Sequence, residues 1–385
     1  MTGSERACAR CRPWRRSAAS RFTQCSPTPH LPLRLTIRPG VGTGGPGWVR
    51  GGVPVAAAEP RALSLEVLQA WAARDVPLPG RGRTAQRWAE LTEIGRADLA
   101  LAKLVEPHHD AAAILADLGG PPPAGGEVWA VWAAEPPGAG LRAEAVADGW
   151  QLTGRKPFCS GAALVTHALV TAHDVRSDAS RLFAVDLRVE RDRGGRAVLE
   201  APTWVGAGMA AADTRTLACS AVRATPVGEP GAYTDRVGFW HGAIGVAACW
   251  LGGLRGVAAR LLDRAGRSGP SELIAMHLGA VAAAVHRCDA VLAVAAARAD
   301  AGEHTSSEIA RCEAEAVRAT VAAAVEEVLS RVGRALGPGP LVADAAHAQR
   351  VADLQVFVRQ HHAEADLAAL GTLLAERAAR GDARW

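Results

Sequence analysis

The sequence predicts an α+β chain in which a helical N-terminal region, a small antiparallel β domain and a C-terminal four-helix bundle follow one another. Apolar residues recur at helical spacing over residues 63–118, alternate with a period of two within residues 127–228, and return to helical spacing from residue 239. The predicted organisation is a tail at 1–58, a helical domain at 59–124, a β domain at 125–228 and the bundle at 229–385.

The first helical region is indicated by Leu65, Leu68 and Trp71, which are three residues apart and so lie near one face of a helix. A break rich in proline and glycine at residues 77–82 precedes a second run with the same period. Residues 119–126 are almost entirely glycine and proline, which predicts a linker after the helices.

The β domain is indicated by short apolar runs between turn residues. Residues 141–153 predict a hairpin, because Asp148-Gly149 accepts a tight turn with positive φ at low cost. Further strands, rich in valine, leucine and phenylalanine, are expected at 128–132, 164–172, 182–187 and 216–223.

The bundle is indicated by long helical runs with clear start and stop signals. Ser271 after Pro270 starts one helix, Thr305 and Glu308 form a capping box for the next, and a Gly-Pro run at residues 337–340 ends it. The short connections favour an antiparallel bundle of four helices, at 239–265, 271–299, 306–335 and 344–376.

The tail and the body differ in charge. Residues 1–60 contain nine arginines and two acids, whereas the remainder has a net charge of −3. The body therefore lacks the basic excess of a nucleic-acid-binding protein, and no nucleic-acid partner is expected. The arginine, glycine and proline of residues 1–58 predict a disordered tail.

Cysteine usage and hydropathy exclude other classes of protein. The eight cysteines have no paired zinc spacing, so we expect reduced thiols, no metal site and a cytoplasmic location. The longest uncharged stretch, residues 238–254, is too short and too rich in glycine to predict a membrane span.

Two segments of the β domain carry a family resemblance. They read Trp132-Ala-Ala-Glu-Pro-Pro-Gly-Ala-Gly140 and Gly154-Arg-Lys-Pro-Phe-Cys-Ser-Gly-Ala162. They resemble the Thr-Glu-Pro-Gly-x-Gly-Ser and Gly-x-Lys-x-Trp-Ile-Thr-Asn-Ala segments of the acyl-CoA dehydrogenase superfamily. The order of the domains fits the same family, and the resemblance covers most of residues 60–370.

The resemblance implies an FAD cofactor, a small-molecule substrate such as an acyl-CoA, and a homo-oligomer or a pair with a homologous subunit. It places Ser160 at the flavin edge, although a serine at a strand end also bonds local backbone. Phe158 stands where the family has a tryptophan, as a ring wall or as plain core. Cys159 between them is expected to pack rather than to act as a redox thiol.

The first segment departs from the family at Ala134, where a hydroxyl residue is usual, so only its backbone is left to contact the flavin. Trp132 either faces the ring or belongs to the core. Arg267 matches an arginine that holds the flavin phosphates, often from a partner subunit; the alternative is an exposed arginine between helices. A further cluster either lines a substrate pocket or joins the domains; it comprises Arg236, Trp240 and His241.

The last helix carries the most informative difference. The family abstracts a proton with a glutamate about eight residues after an aspartate, and counting eight from Asp353 reaches His361. The catalytic candidates are therefore His361 and Glu364, against the alternative that the histidines are surface polar groups. His362 and Asp366 are four apart and expected to pair.

These features favour an FAD-dependent oxidoreductase that carries out α,β-dehydrogenation of an acyl thioester or a related substrate. Two alternatives stay open. One is a flavin-dependent monooxygenase on the same fold, a branch that also lacks the glutamate. The other is a non-catalytic partner subunit that has kept the fold.

Overall fold

The computed structural model describes residues 63–136, 138, 140–192 and 195–382, and the predicted disordered tail lies outside them. The described chain begins with three helices. Ser64 caps the first through the N–H of Val67, and Asp98 caps the third through the N–H of Leu101. The helices are α1 (Leu65–Ala72), α2 (Thr84–Ala97) and α3 (Leu99–Leu118).

A seven-stranded sheet follows, with its strands in the order β1-β4-β2-β3-β7-β5 and with β6 paired to β7. The short helix α4 (Leu187–Asp192) lies between β5 and β6. The strands are β1 (Trp129–Trp132), β2 (Arg142–Val146), β3 (Gly149–Cys159), β4 (His167–Asp174), β5 (Ala179–Asp186), β6 (Ala197–Leu199) and β7 (Arg215–Val227).

The predicted hairpin is present, with Val146 opposite Gly149 across the turn between β2 and β3. The prediction of a purely antiparallel sheet is wrong at β4, which pairs parallel with β1 and with β2. These pairings join segments distant in sequence, which local turn signals do not indicate. The sheet is therefore mixed.

The C-terminal region is helical, as predicted. Ser271 caps α7 through the N–H of Ile274, whereas α8 is capped by Ser306 rather than by Thr305. The helices are α5 (Ala232–Asp235), α6 (Val237–Ser268), α7 (Glu272–Asp300), α8 (Ser307–Leu336), α9 (Gly339–Ala343), α10 (Ala345–Phe357) and α11 (Glu364–Ala379).

The last predicted helix is not continuous. A 3-10 turn at Val358–Gln360 follows α10, and His361 has an extended backbone. Ala363 then adopts a φ of 48° before α11 begins. The helix expected at residues 344–376 is therefore two helices, and the break contains the histidine pair.

Helix α6 forms the centre of the helical packing, against α2, α3 and α8. By length and composition alone, α6 and α7 are apolar enough to cross a membrane. Most of the apolar window of α6 is buried in the protein, and about a third of that of α7. Two such helices are weak evidence for a span, because core helices of soluble proteins pass the same test.

Candidate flavin site

A β-bulge at the end of β3 turns one aromatic side chain outward. The pairing of β3 with β7 loses its register between Lys156 and Cys159, and Phe158 between them has a φ of 59°. Such a conformation is strained for an aromatic residue and is often found at functional sites. Phe158 is 57% exposed, whereas Cys159 is fully buried and Ser160 nearly so.

The residues after the bulge are fixed by specific hydrogen bonds. The hydroxyl of Ser160 lies 2.8 Å from that of Thr214, which precedes β7, and the Ser160 carbonyl accepts a bond of 3.1 Å from the indole N–H of Trp132. Trp132 is 3% exposed, so it packs in the core beneath this edge. Burial raises the pKa of Cys159 to about 12, which is consistent with a packing role.

The two family-like segments are joined through buried polar contacts. Lys156 is 2% exposed, and its ammonium donates to the carbonyl and the hydroxyl of Thr171, each at 2.8 Å. The same ammonium lies 3.7 Å from the carboxylate of Glu135, which also accepts a bond from Ser180. These contacts hold the segment around Ala134 against the sheet.

Two cavities flank the Ser160–Thr214 pair. A narrow cleft lies beside Phe158 and Ser160, and its other lining residues are Lys103, Leu104, Pro107, Ala130, Val131, Trp132 and Val165. A larger cavity of about 170 Å³ is lined by Lys103, Trp204, Met209, Ala212, Thr214, Val356, Phe357, Arg359 and Gln360. Lys103 of α3 belongs to both, and neither lining includes a carboxylate.

Asp353 ties the helical region to the loop before β7. Its buried carboxylate accepts bonds from the N–H of Met209 at 2.5 Å and from the amide of Gln349 at 2.8 Å. Burial raises the pKa of Asp353. The contact positions Met209, Thr214 and the end of α10 around the larger cavity.

His361 is 6% exposed and lies in the break between α10 and α11. Its Nδ1 accepts a bond of 3.2 Å from the N–H of Ala363, so the proton of the neutral imidazole is assigned to Nε2. Among the described residues, the buried Nε2 makes no hydrogen bond and lies 3.9 Å from the Asp366 carboxylate. Burial lowers the pKa of His361. As oriented, His361 is a hydrogen-bond donor rather than a base.

The other residues of this segment lie outside the buried site. Glu364 is exposed at the first position of α11. His362 pairs with Asp366 at 3.2 Å, as expected, although the two span a helix start rather than a continuous helix. The structure therefore does not bring Glu364 together with His361.

The predicted pocket residues Arg236, Trp240 and His241 lie far from the bulge. Arg236 binds Asp117 at 2.9 Å, near the C-terminal end of α3. Fourteen residues separate Asp117 from Lys103, or about 21 Å along a helix. His241 bonds His304 at 2.8 Å, and His304 bonds Glu313. These contacts join helices and lie away from the bulge.

Arg267 is exposed near the end of α6. Trp250 of α6 lies close to the larger cavity, because its ring is 6.4 Å from that of the lining residue Phe357. Arg267 lies seventeen residues further on, about 25 Å along the axis. It is therefore outside the site of its own chain.

Comparisons with known proteins agree with this architecture. The structure is similar to butyryl-CoA dehydrogenase from Megasphaera elsdenii, with 14% identity and a TM-score of 0.68 over 82% of this chain and 91% of that one. The chain has the acyl-CoA dehydrogenase fold. No family model and no curated protein sequence matches it.

Two flavoenzyme structures are also similar. One is KijD3 in complex with FMN and a dTDP-linked sugar, with 18% identity and a TM-score of 0.66 over 84% of this chain and 88% of that one. The other is dibenzothiophene monooxygenase TdsC from Paenibacillus sp. A11-2, with 18% identity and a TM-score of 0.64 over 75% of this chain and 82% of that one.

Sequence reasoning missed the charged face of α3. Lys103, Glu106 and Asp110 follow helical spacing. The two acids face α6, where a Cβ on Gly245 would lie 3.7 Å from Glu106 Oε1 and one on Gly242 would lie 2.7 Å from Asp110 Oδ1. Burial raises the pKa of Glu106 to about 8. The signal was available, since Lys103 is one of only two lysines and stands in an apolar helix.

Within the described residues, no group of three His, Cys, Asp or Glu could hold a metal.

Proposed function

We propose that the protein is a flavin-dependent oxidoreductase whose flavin ring packs against Phe158, with its edge at Ser160. The supporting observation is the bulge, which exposes an aromatic ring next to a partly buried hydroxyl pair and a cavity. An aromatic wall and a hydroxyl donor are what an isoalloxazine ring requires. Either FMN or FAD is compatible with these contacts.

A bound flavin would supply two-electron redox chemistry. The chain supplies the surroundings: Ser160 and Thr214 orient their hydroxyls toward the edge of the cavity, and Trp132 fixes the Ser160 carbonyl from below. The contacts of Lys156 and Glu135 keep the Ala134 segment in place. These groups bind and orient, and they leave the proton-transfer step to other residues.

Of the possible reactions, we propose oxygenation of a small molecule by a flavin that is reduced externally. One oxygen atom of O₂ would enter the substrate and the other would leave as water. The lining of the two cavities carries this choice, because it contains Lys103 and Arg359 and no carboxylate.

Dehydrogenation of an acyl thioester is the second candidate, and Glu106 is the observation that favours it. Glu106 is 7% exposed and lies one turn from Lys103 on α3. Because burial raises its pKa to about 8, it would become a base as the pH rises through that value. A dehydrogenase of this kind would lose its activity in Glu106→Gln.

The test begins with flavin content. The purified protein is titrated with FMN and with FAD, and Ser160→Phe is compared with Ser330→Val, a change at an exposed serine of α8. We expect wild type and Ser330→Val to bind flavin and Ser160→Phe to lose at least tenfold in affinity. A wild type that binds neither flavin would support the non-catalytic partner instead.

The reaction class is tested separately. Anaerobic bleaching of the flavin by acyl-CoA would indicate the dehydrogenase, whereas O₂ uptake that requires both reduced flavin and a small substrate would indicate the oxygenase. Measured molar mass in solution would test the predicted oligomer. The exposure of Arg267 and its distance from the site of its own chain support that prediction, since only a second copy could use it as a phosphate clamp.

A further inference from the structure

Lys103 brings the same amino group to both cavities of the candidate site. It lies in the first half of α3 and is half-buried there. It lines the cleft beside Phe158 and Ser160 and also the larger cavity beside Thr214 and Phe357. Its ammonium lies 5.7 Å from the centre of the Phe357 ring.

Lys103 is not neutralised by the described part of the chain. No carboxylate oxygen of the described residues lies within 4.0 Å of its ammonium. Glu106 is the nearest acid along the helix face, and its pKa of about 8 keeps it largely protonated near neutral pH. Burial lowers the pKa of Lys103, so a bound anion would offset the cost of holding its charge in this site.

The other described cations near the site already have partners. Arg318 donates to the backbone carbonyls of Ala243 and Gln360. Arg359, which also lines the larger cavity, binds Glu326 at 2.6 Å. Lys156 donates to Thr171 and lies near Glu135. Among the described cations of the site, Lys103 is therefore the one left to bind a ligand.

The larger cavity defines the shape of that ligand. Its volume of about 170 Å³ is close to that of protein cavities that hold benzene. Most of its lining is apolar, from Trp204, Met209, Ala212, Val356 and Phe357. A single ring or a short branched chain fits this space, with one polar group directed at Lys103.

We propose that Lys103 binds the carboxylate of a small organic acid whose apolar part, one ring or a short branched chain, fills the larger cavity. This inference rests on the proposed function, since it names the substrate class of the same site. It differs from the acyl-CoA expectation, because the substrate would carry its charge next to the redox centre.

The test uses benzoate and benzamide, which have the same ring and differ in charge. The two are titrated calorimetrically into the flavin-free protein. We expect wild type to bind benzoate at least tenfold more tightly than benzamide, because a buried charged hydrogen bond is lost in the amide. Lys103→Gln should bring the two affinities to within about threefold, and Lys103→Arg should keep most of the preference.

Arg287→Gln is the matched control, because Arg287 is also an arginine paired with a glutamate, Glu327, but lines neither cavity. It should change the benzoate affinity less than about threefold. Equal binding of benzoate and benzamide by wild type would overturn the proposal, and this comparison does not depend on any variant folding. An unchanged preference in a folded Lys103→Gln protein would also overturn it.

Flavin titration of the same variants separates the inference from the proposed function. If Lys103→Gln loses flavin affinity and keeps its preference for benzoate, Lys103 serves the cofactor and the proposal is wrong. If wild type prefers benzoate through Lys103 but binds no flavin, the inference stands and the proposed function fails. If flavin binds to both proteins and neither prefers benzoate, the reverse holds.

Discussion

The end of β3 and the interior between α2, α3 and α6 hold buried polar groups in opposite ways. At the strand end, Lys156, Ser160 and Trp132 each have a hydrogen-bond partner. In the helical interior, Arg87 has two nitrogens, and Asp110 one oxygen, without a partner among the described residues.

The difference shows two kinds of polar burial. At the strand end these buried polar groups have hydrogen-bond partners, and the resulting network fixes one geometry. The network lies in the segments that carry the family resemblance. The helical interior holds charges that burial penalises, as the raised pKa of Glu106 shows. Changes in the two regions should therefore have different signatures.

The largest effect should come from closing the space between α2 and α6. A Cβ on Gly252 would overlap the carbonyl oxygen of Thr92 and lie 2.6 Å from the backbone nitrogen of Arg96. Gly252→Ala should therefore lower the free energy of unfolding by about 3 kcal/mol or more, measured by urea denaturation. Gly266→Ala, in open space on the same helix, should be neutral or slightly stabilising. Equal stability of the two variants would contradict this packing.

The next effect should come from the contact between α10 and the loop before β7. Asp353→Ala would leave the N–H of Met209 without its acceptor, which should cost about 2 kcal/mol of unfolding free energy. Asp353→Asn keeps an oxygen in that position and should recover at least half of the loss. If the asparagine variant is as unstable as the alanine variant, the negative charge rather than the acceptor matters.

Sequence reasoning was most successful where the structure is local. The period of apolar residues predicted α6, α7 and α8 to within a few residues. It did not predict the break after α10, because Ala363 takes a positive φ with no glycine or proline to signal it. The parallel pairing of β4 was also beyond reach, since it depends on long-range topology.

In the candidate site, too, local features could be predicted from the sequence and long-range contacts could not. The strand-end motif pointed to Phe158 and Ser160, whereas the partner of Ser160 is Thr214, 54 residues later. Arg236, Trp240 and His241 were grouped with the site because they are near one another in sequence, but helix direction carries them away from it. The role of Lys103 depends on which face of α3 borders the two cavities. A helical period alone does not distinguish a buried charged face from a solvated one.

A smaller effect should appear as a dependence on pH. His108 joins α3 to β1, because its Nδ1 accepts the N–H of Trp129 at 3.2 Å. Burial lowers its pKa to about 4 from 6.5, so the unfolded chain binds more protons as the pH falls below 6.5, and stability decreases. This residue should account for a loss of about 1 kcal/mol between pH 7 and pH 5.5.

His108→Asn retains an acceptor and removes the titration, so its stability should depend less on pH over that interval. His286→Asn changes an exposed histidine of α7 and should keep the wild-type slope. Thermal unfolding of the three proteins at a series of pH values measures how the stability of each depends on pH. Parallel curves for wild type and His108→Asn would show that His108 does not carry the effect.

The smallest effect should be at Arg155, which is next to Lys156 on β3 but faces the other side of the strand. Its side chain is 67% exposed and binds Glu200 through two hydrogen bonds, one of 2.6 Å. Because water and salt screen an exposed pair, its attraction is nearly offset by the cost of ordering two long side chains. Arg155→Gln should therefore leave the urea midpoint unchanged within error, whereas Lys156→Met, which removes the buried donor to Thr171, should lower it clearly. A clear decrease in the urea midpoint for Arg155→Gln would show that the surface pair, and not only the buried network, stabilises β3.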